Sequence, residues 1–71
     1  MMSLKDAKEG VEYTIREITT DDEELKSFLF SLGCYRGESV TVISHKRKNH
    51  VISIKDGRYN IDGYLAEAIM V

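Results

Sequence analysis

Short segments in which apolar and polar residues alternate are the feature of this 71-residue chain that most constrains its fold. The alternation runs through residues 11–15, 39–42 (extended by Ile43), 52–54 and 59–61, and it is typical of a β-strand with one buried face. So short a chain has room for a single domain, residues 1–71, with one core. Because a flat sheet would leave edges and an apolar face open, the pattern predicts short strands that curl into a small β-barrel.

Turn signals divide the strands from one another. Asp56-Gly57 is typical of a two-residue hairpin turn in which both central residues have positive φ angles. A polar loop over residues 46–49 is expected to connect the second and third predicted strands. Residues 63–68 are expected to form one helical turn, and residues 69–71 a last short strand. The sequence therefore predicts five strands in all.

One clear helix, predicted over residues 21–32, lies between the first and second strands. Its apolar residues recur with the spacing of one helical face and are expected to pack against the barrel: Leu25, Phe28, Leu29 and Leu32. Thr20 and Glu23 have the spacing of a capping box, and Gly33 is expected to end the helix in a left-handed conformation. The acidic run 21–24 stabilises the positive end of the helix dipole, and its side chains point in too many directions to share one metal ion.

Composition limits the classes of function. The formal net charge is −2, whereas general nucleic-acid binding usually needs a basic surface. The single cysteine, Cys34, cannot form an internal disulfide, and no apolar run approaches the ~20 residues of a membrane-spanning helix. These features predict a cytoplasmic protein. Cys34 follows the end of the helix and is expected to be a buried thiol, with a metal or redox ligand as the alternative.

No constellation of catalytic groups is visible. The chain has one cysteine and two histidines and lacks a glycine-rich phosphate loop, whereas an enzyme needs a nucleophile or an acid–base pair held in a cleft. A barrel of this size fills its interior with side chains and leaves no substrate pocket. The sequence therefore predicts a binding domain without enzymatic activity and without a cofactor.

Three motifs, in order, resemble the ferrous iron transport protein A (FeoA) family across essentially the whole chain. The central motif is Leu29-x-x-Leu32-Gly33-x-x-x-Gly37-x-x-Val40-x-Val42. The closing motif is Ala66-x-x-Ile69-x-Val71, and the opening positions are Leu4, Gly10 and Ile15. A Pro- and Gly-containing loop of the family, A-P-x-G-x-P, is replaced here by His45-Lys46-Arg47-Lys48-Asn49-His50. That departure leaves the partner specificity of the loop open.

The resemblance implies a mainly β, five-stranded SH3-like barrel in the bacterial cytoplasm. It also implies a supporting role for a membrane-bound, GTP-hydrolysing ferrous iron transporter, with the transporter's cytoplasmic domain as partner and the membrane contacted only indirectly. Related domains are fused to that transporter or to iron-dependent repressors. The alternative is an SH3-like regulatory or nucleic-acid-associated module, and the acidic net charge favours the protein partner over nucleic acid.

The candidate partner-binding residues are mostly basic. They are Tyr35, Lys46, Arg47, Lys48, Lys55 and Arg58. The five cations fall within thirteen positions, which indicates a positive surface that steers the domain toward an acidic partner. For the run 46–48 the alternative is a solvated turn that blocks unwanted strand pairing. Tyr35, in a turn, is the candidate for an exposed aromatic anchor.

His45 and His50 are weak candidates for metal ligands. They flank residues 46–49, so a hairpin would place the two imidazoles opposite each other, close enough to share a soft cation. Two ligands make a weak site, and no carboxylate lies within the loop to complete it. We therefore expect two solvated histidines and no tight metal binding.

Overall fold

The structure, a computed structural model, describes residues 1–71. In chain order its elements are the 3-10 turn Leu4–Asp6, β1 (Glu12–Thr14), β2 (Glu17–Ile18), α1 (Glu23–Leu32), β3 (Ser39–Lys46), β4 (Asn49–Ile54), β5 (Gly57–Asp62), α2 (Gly63–Ala68) and β6 (Ile69–Met70). Strands β1, β3, β4 and β5 form an antiparallel sheet in that order, while β2 pairs with β6 in a second sheet. The mainly β fold predicted from the sequence is confirmed.

The prediction of a closed five-stranded barrel is wrong, because six strands form two open sheets. The sheets separate within the first predicted strand. There Ile15 donates its N–H to the Glu38 carbonyl at 2.8 Å, and the next residue, Arg16, donates to the Met70 carbonyl at 2.7 Å. Since these adjacent residues pair with different partners, the chain passes from the sheet of β1 to the sheet of β2 between Ile15 and Arg16.

A single core of 15 buried apolar residues lies between the sheets and the helices. Its members come from the 3-10 turn, from both helices, from four of the six strands and from segments outside these elements. Leu4, Leu29, Ile52 and Ile69 belong to four different elements and are fully buried. Because the inward faces fill this core, the side chains that a partner can reach lie on the outer surface.

Helix α1 begins two residues later than predicted, at Glu23, and Asp22 is its N-cap. The Asp22 carboxylate accepts hydrogen bonds from the backbone N–H groups of Glu24 and Leu25, at 3.0 and 3.1 Å. Thr20 instead accepts a bond from the Asp22 N–H, so the capping box is wrong by two positions. Asp22 is extended, and an extended residue caps a helix without belonging to it. The predicted stop is confirmed, because Gly33 is left-handed with φ 101°.

The predicted apolar stripe of α1 is only partly buried. Leu25 and Leu29 are buried, Leu32 is half-buried, and Phe28 is 48% exposed. The helix therefore contacts the core along one narrow line of residues spaced at i and i+4. Phe28 lies about 100° around the helix axis from Leu29, which places it beside that line. Lys26 is half-buried.

The hairpin between β4 and β5 turns one residue earlier than predicted. Ile54 pairs with Gly57, so the two turn residues are Lys55 and Asp56. Of these only Lys55 has a positive φ, 52°. Gly57 matters for a different reason, because a Cβ there would overlap the outer end of the Tyr59 ring, with the ring carbon Cζ 2.7 Å away, and the ring would have to shift.

Met2 and Val71 lie side by side. The N–H of Met2 donates to the carbonyl of Val71 at 3.1 Å, and the N–H of Val71 donates to the carbonyl of Met2 at 2.8 Å. The neighbouring bridge between Ser3 and Met70 continues this pairing. Residues at both ends of the described chain therefore share one small antiparallel ladder with β2.

Candidate protein-interaction surfaces

Phe30, Tyr35 and Lys55 form an exposed cluster that we call the aromatic corner. The rings of Phe30 and Tyr35 stack with centroids 5.6 Å apart, and the two side chains are 37% and 47% exposed. The Lys55 ammonium lies 5.4 Å from the centre of the Tyr35 ring and 3.6 Å from the carboxylate of Glu38. An aromatic pair with a cation above it is the type of surface that anchors a protein partner.

The end of α1 positions the aromatic corner. The left-handed Gly33 turns the chain so that the Cys34 N–H donates to the Leu29 carbonyl at 3.0 Å, and the next residue, Tyr35, returns to the surface. The aliphatic stem of Lys55 packs against Gly33, where a Cβ would lie 3.4 Å from its Cδ. The predicted exposure of Tyr35 agrees with the structure. Its role in partner binding stays a prediction.

Cys34 is fully buried, as the sequence predicts. Burial raises the pKa of its thiol from 9.0 to about 11. The group therefore stays protonated near neutral pH, and a protonated, inaccessible thiol is neither a nucleophile nor a metal ligand.

The second candidate surface is the basic turn, which consists of Lys46, Arg47, Lys48 and Asn49. Lys46 pairs with Asn49, so Arg47 and Lys48 alone form the turn, and the predicted four-residue loop is shortened to two. The Lys48 carbonyl accepts a hydrogen bond from the N–H of Gly63 at 2.8 Å, which fixes the turn against the start of α2. An open groove beside the turn also contains acidic and aromatic side chains; its lining is Lys5, Arg47, Lys48, Asp62, Gly63, Tyr64 and Glu67.

The two groups of candidate cations are not neighbours. The three cations of the basic turn precede β4, whereas Lys55 follows it and Arg58 pairs with Ser53 near the same end. At about 3.3 Å per residue, Lys48 and Lys55 lie roughly 23 Å apart along the sheet. The prediction of one positive surface is therefore wrong, because a β-strand separates residues that are close in sequence by its whole length.

His45 and His50 face each other across β3 and β4, as predicted. They pair directly, with ring centroids 4.2 Å apart and an angle of 22° between the ring planes. A β-bulge makes this possible: Val42 pairs with Ile52 and Ser44 with Val51, so one extra residue, Ile43, shifts the alternation. In the sequence, the adjacent apolar residues Val42 and Ile43 interrupt the alternation there, but only the pairing with β4 shows that the interruption is a bulge.

The expectation that both histidines are solvated is wrong for His50. Its side chain is 1% exposed, and neither ring nitrogen has a hydrogen-bond partner. Burial lowers the pKa of His50, and the neighbouring charge of His45 acts in the same direction. A polar interaction with the backbone of Lys5 opposes this shift in pKa, whereas the positive charge of Lys5 acts with it. His50 is therefore a neutral ring held by packing.

The stacked histidines do not form a metal centre in this arrangement. The lone pairs of two nearly parallel rings point side by side, whereas ligands of one ion must converge on it. Glu9 accepts a hydrogen bond from the backbone N–H of His45 at 2.7 Å, so its carboxylate is engaged elsewhere. No group of three or more His, Cys, Asp or Glu side chains is placed to hold a metal ion. Weak affinity for metals stays a prediction.

Phe30 is the surface residue that sequence reasoning missed. It lies outside the predicted apolar stripe, about 140° around the helix from Leu25. An aromatic residue on the polar side of an amphipathic helix is a signal for an exposed anchor, and it could have been used.

Neither helix has the length and hydrophobicity that crossing a membrane requires.

Known proteins resemble this chain in family and in fold. The model of the FeoA domain family matches residues 2–71. A crystal structure of an iron uptake regulatory protein (FeoA) is 23% identical with a TM-score of 0.85, and the match covers 96% of this chain and 91% of that one. The zinc complex of Stenotrophomonas maltophilia FeoA, described as an SH3 domain protein, is 13% identical with a TM-score of 0.88 and coverages of 99% and 88%.

A manganese-dependent transcriptional repressor is also similar in structure. It is 17% identical with a TM-score of 0.87, and the match covers 94% of this chain but only 38% of the repressor. No curated protein sequence matches significantly. At these identities the solved structures establish the fold alone, which is SH3-like. The family match extends over nearly every residue, and the chain belongs to the FeoA domain family.

Proposed function

We propose that this protein is an accessory protein of bacterial ferrous iron uptake that acts in the cytoplasm. Its partner is the cytoplasmic part of a membrane-bound, GTP-hydrolysing iron transporter. The observation that carries the proposal is the FeoA family match over residues 2–71. The similar S. maltophilia protein is described as a candidate activating factor for bacterial ferrous iron transport, which supports the same role here.

The chemistry of the side chains supports binding rather than catalysis. The only thiol is buried with a raised pKa, and the buried His50 has a lowered pKa and no hydrogen-bond partner. An acid–base or nucleophilic mechanism needs such groups within reach of a substrate. The accessible groups are instead stacked rings and cations, which recognise a protein surface.

We infer that the basic turn makes the first contact with the partner. Lys46, Arg47 and Lys48 are exposed at the tip of a hairpin, where an acidic surface can attract them over about one Debye length of ~10 Å. The aromatic corner, with Tyr35 and Lys55, then contributes short-range contacts at the other end of β4. Arg58 belongs to the same end of the sheet.

Charge reversal tests this proposal. The variant Arg47→Glu/Lys48→Glu should associate with the purified GTP-hydrolysing domain of a ferrous iron transporter about tenfold more slowly at low salt, because steering is lost. The difference should disappear at high salt. The control variant Lys8→Glu/Arg16→Glu makes the same change in net charge at two other exposed positions and should associate at nearly the wild-type rate.

Absence of binding between the wild-type chain and the transporter domain would contradict the proposed function. Equal rates for the two double variants at low salt would leave the function standing and remove the basic turn from the interface. Surface plasmon resonance at several salt concentrations distinguishes these outcomes.

The second candidate function is a regulatory module of a metal-dependent repressor. It is favoured by the structural match to manganese-dependent repressors, of which this chain spans 38% and 34%. If this function is correct, the isolated chain should bind the DNA-binding part of such a repressor when the two are mixed. It should then show no affinity for the transporter domain.

A further inference from the structure

Strand β5 is an edge strand with little protection against pairing. It is the last strand of the four-stranded sheet and is six residues long, and its pairing with β4 has no register shift. The chain contains no proline to interrupt the edge. The opposite edge, β1, is only three residues long. Long, regular edges are the ones that pair with another strand.

The hydrogen-bond phase shows which groups of β5 face outward. Gly63 donates to the Lys48 carbonyl at 2.8 Å, so this pair exchanges bonds with the β4 side. In an antiparallel ladder bonded pairs recur every second residue, so the backbone groups of Tyr59 and Ile61 point to β4 as well. The backbone N–H and carbonyl groups of Arg58 and Asn60 therefore point away from the sheet. No other main-chain hydrogen bond includes them.

The exposed side chains along this edge are self-complementary. Three exposed side chains follow one another along the edge: the basic Arg58, the neutral Asn60 and the acidic Asp62. If a second β5 lies antiparallel with the two Asn60 residues opposite each other, each Arg58 faces the Asp62 of the other copy. The same register brings the outward-facing backbone groups into bonded pairs, since 58, 60 and 62 share one phase. Hydrogen bonding and charge thus select the same register.

We propose that two copies of this chain form a two-fold symmetric dimer by pairing their β5 edges about Asn60. The pairing extends two four-stranded sheets into one of eight strands, with two Arg58–Asp62 ion pairs across the interface. An interface of three residue pairs in all, with three residues from each strand, is small, so the dimer is weak and concentration-dependent. The Asp62 carboxylate also caps α2 through the Leu65 N–H at 2.8 Å, and its second oxygen is free for Arg58.

The dimer has a consequence for the two candidate surfaces. Asp62 lies next to the basic turn of its own copy, and Arg58 lies next to the aromatic corner of its own copy. Antiparallel pairing places the Asp62 of one copy beside the Arg58 of the other. Surfaces that lie at opposite ends of β4 within one chain therefore meet at one end of the combined sheet. The inference goes beyond the proposed function, and it is tested on the chain alone, without the transporter.

Complementary charge variants provide the test. Arg58→Asp puts acid opposite acid in both pairs of its own dimer, and Asp62→Arg puts base opposite base. Each variant alone should dimerise at least tenfold more weakly than wild type in sedimentation velocity experiments up to ~1 mM. An equimolar mixture should regain the dimer, because both pairs then join Asp to Arg.

If Asp62→Arg loses its helix cap and unfolds, a second pair of variants tests the same dimer. Asn60→Pro removes one outward N–H without breaking the bonds to β4, and Asn60→Ala keeps that N–H. The proline variant should be monomeric and the alanine variant should dimerise. A wild-type chain that stays monomeric at ~1 mM, a dimer insensitive to Arg58→Asp and Asn60→Pro, or folded charge variants that fail to associate when mixed would each overturn the proposal.

Discussion

His50 links the stability of this domain to pH. Its ring is buried without a hydrogen-bond partner, and burial lowers its pKa below the ordinary value of 6.5. The unfolded chain therefore takes up a proton near pH 6.5 while the folded chain does not. Stability is fully present above that pH and is lost as the pH falls toward the lowered pKa of the folded state.

We expect the free energy of unfolding to decrease below about pH 6.5, with a slope of up to about 1.4 kcal/mol per pH unit from this one group. Urea titrations between pH 5.5 and 8 measure it. His50→Leu, which fills the same space without titrating, should flatten the profile in this range. His45→Ala removes an exposed ring and should leave most of the slope in place. An unchanged slope in His50→Leu would assign the pH dependence to other groups.

Leu29 and Phe28 are adjacent in α1 and should differ sharply in their contribution to stability. Leu29 is fully buried, so Leu29→Ala should cost about 2–5 kcal/mol through lost burial and a cavity. Phe28 is 48% exposed, and Phe28→Ala should cost about 1 kcal/mol. Chemical denaturation of both variants measures the difference. A cost for Phe28→Ala equal to that of Leu29→Ala would show that the ring is buried in solution.

Among the helices and strands, the β4–β5 hairpin depends on a glycine for packing. A Cβ at Gly57 would overlap the Tyr59 ring, so Gly57→Ala should cost about 1–3 kcal/mol as an overpacked variant. The same substitution in a Tyr59→Ala background should cost much less, because the obstructing ring is gone. A double-mutant cycle by thermal denaturation measures this coupling. Equal costs in both backgrounds would attribute the effect to the backbone.

Local patterns predicted some elements well and others poorly. The left-handed stop at Gly33, the buried Cys34 and the last short strand follow from rules that involve only nearby residues. The β-bulge at Ile43 does not, because the adjacent apolar residues Val42 and Ile43 interrupt the alternation without identifying a bulge until the pairing with β4 is known. The hairpin alone places His45 opposite His50, so their pairing could be predicted, whereas the bulge that brings His45 to the face shared by His50 and Ile52 could not.

For the whole molecule, the barrel prediction failed for a similar reason. The sequence shows short strands with one apolar face, and a single core agrees with that. Whether the sheet closes depends on which partners Ile15 and Arg16 find, and these lie far away in sequence. The separation of the basic turn from the aromatic corner is another result of strand length and pairing, which spacing along the chain does not reveal.

The ladder that joins Met2 to Val71 should allow the chain to be circularly permuted. Two hydrogen bonds already hold these residues together, so a short glycine–serine linker from residue 71 to residue 1 would span almost no distance. New ends can then be opened between Arg47 and Lys48, in an exposed turn. We expect this circular permutant to fold with the same circular dichroism spectrum and a modestly lower melting temperature. An unfolded permutant would mean that the β3–β4 hairpin must form intact before the rest of the domain can assemble.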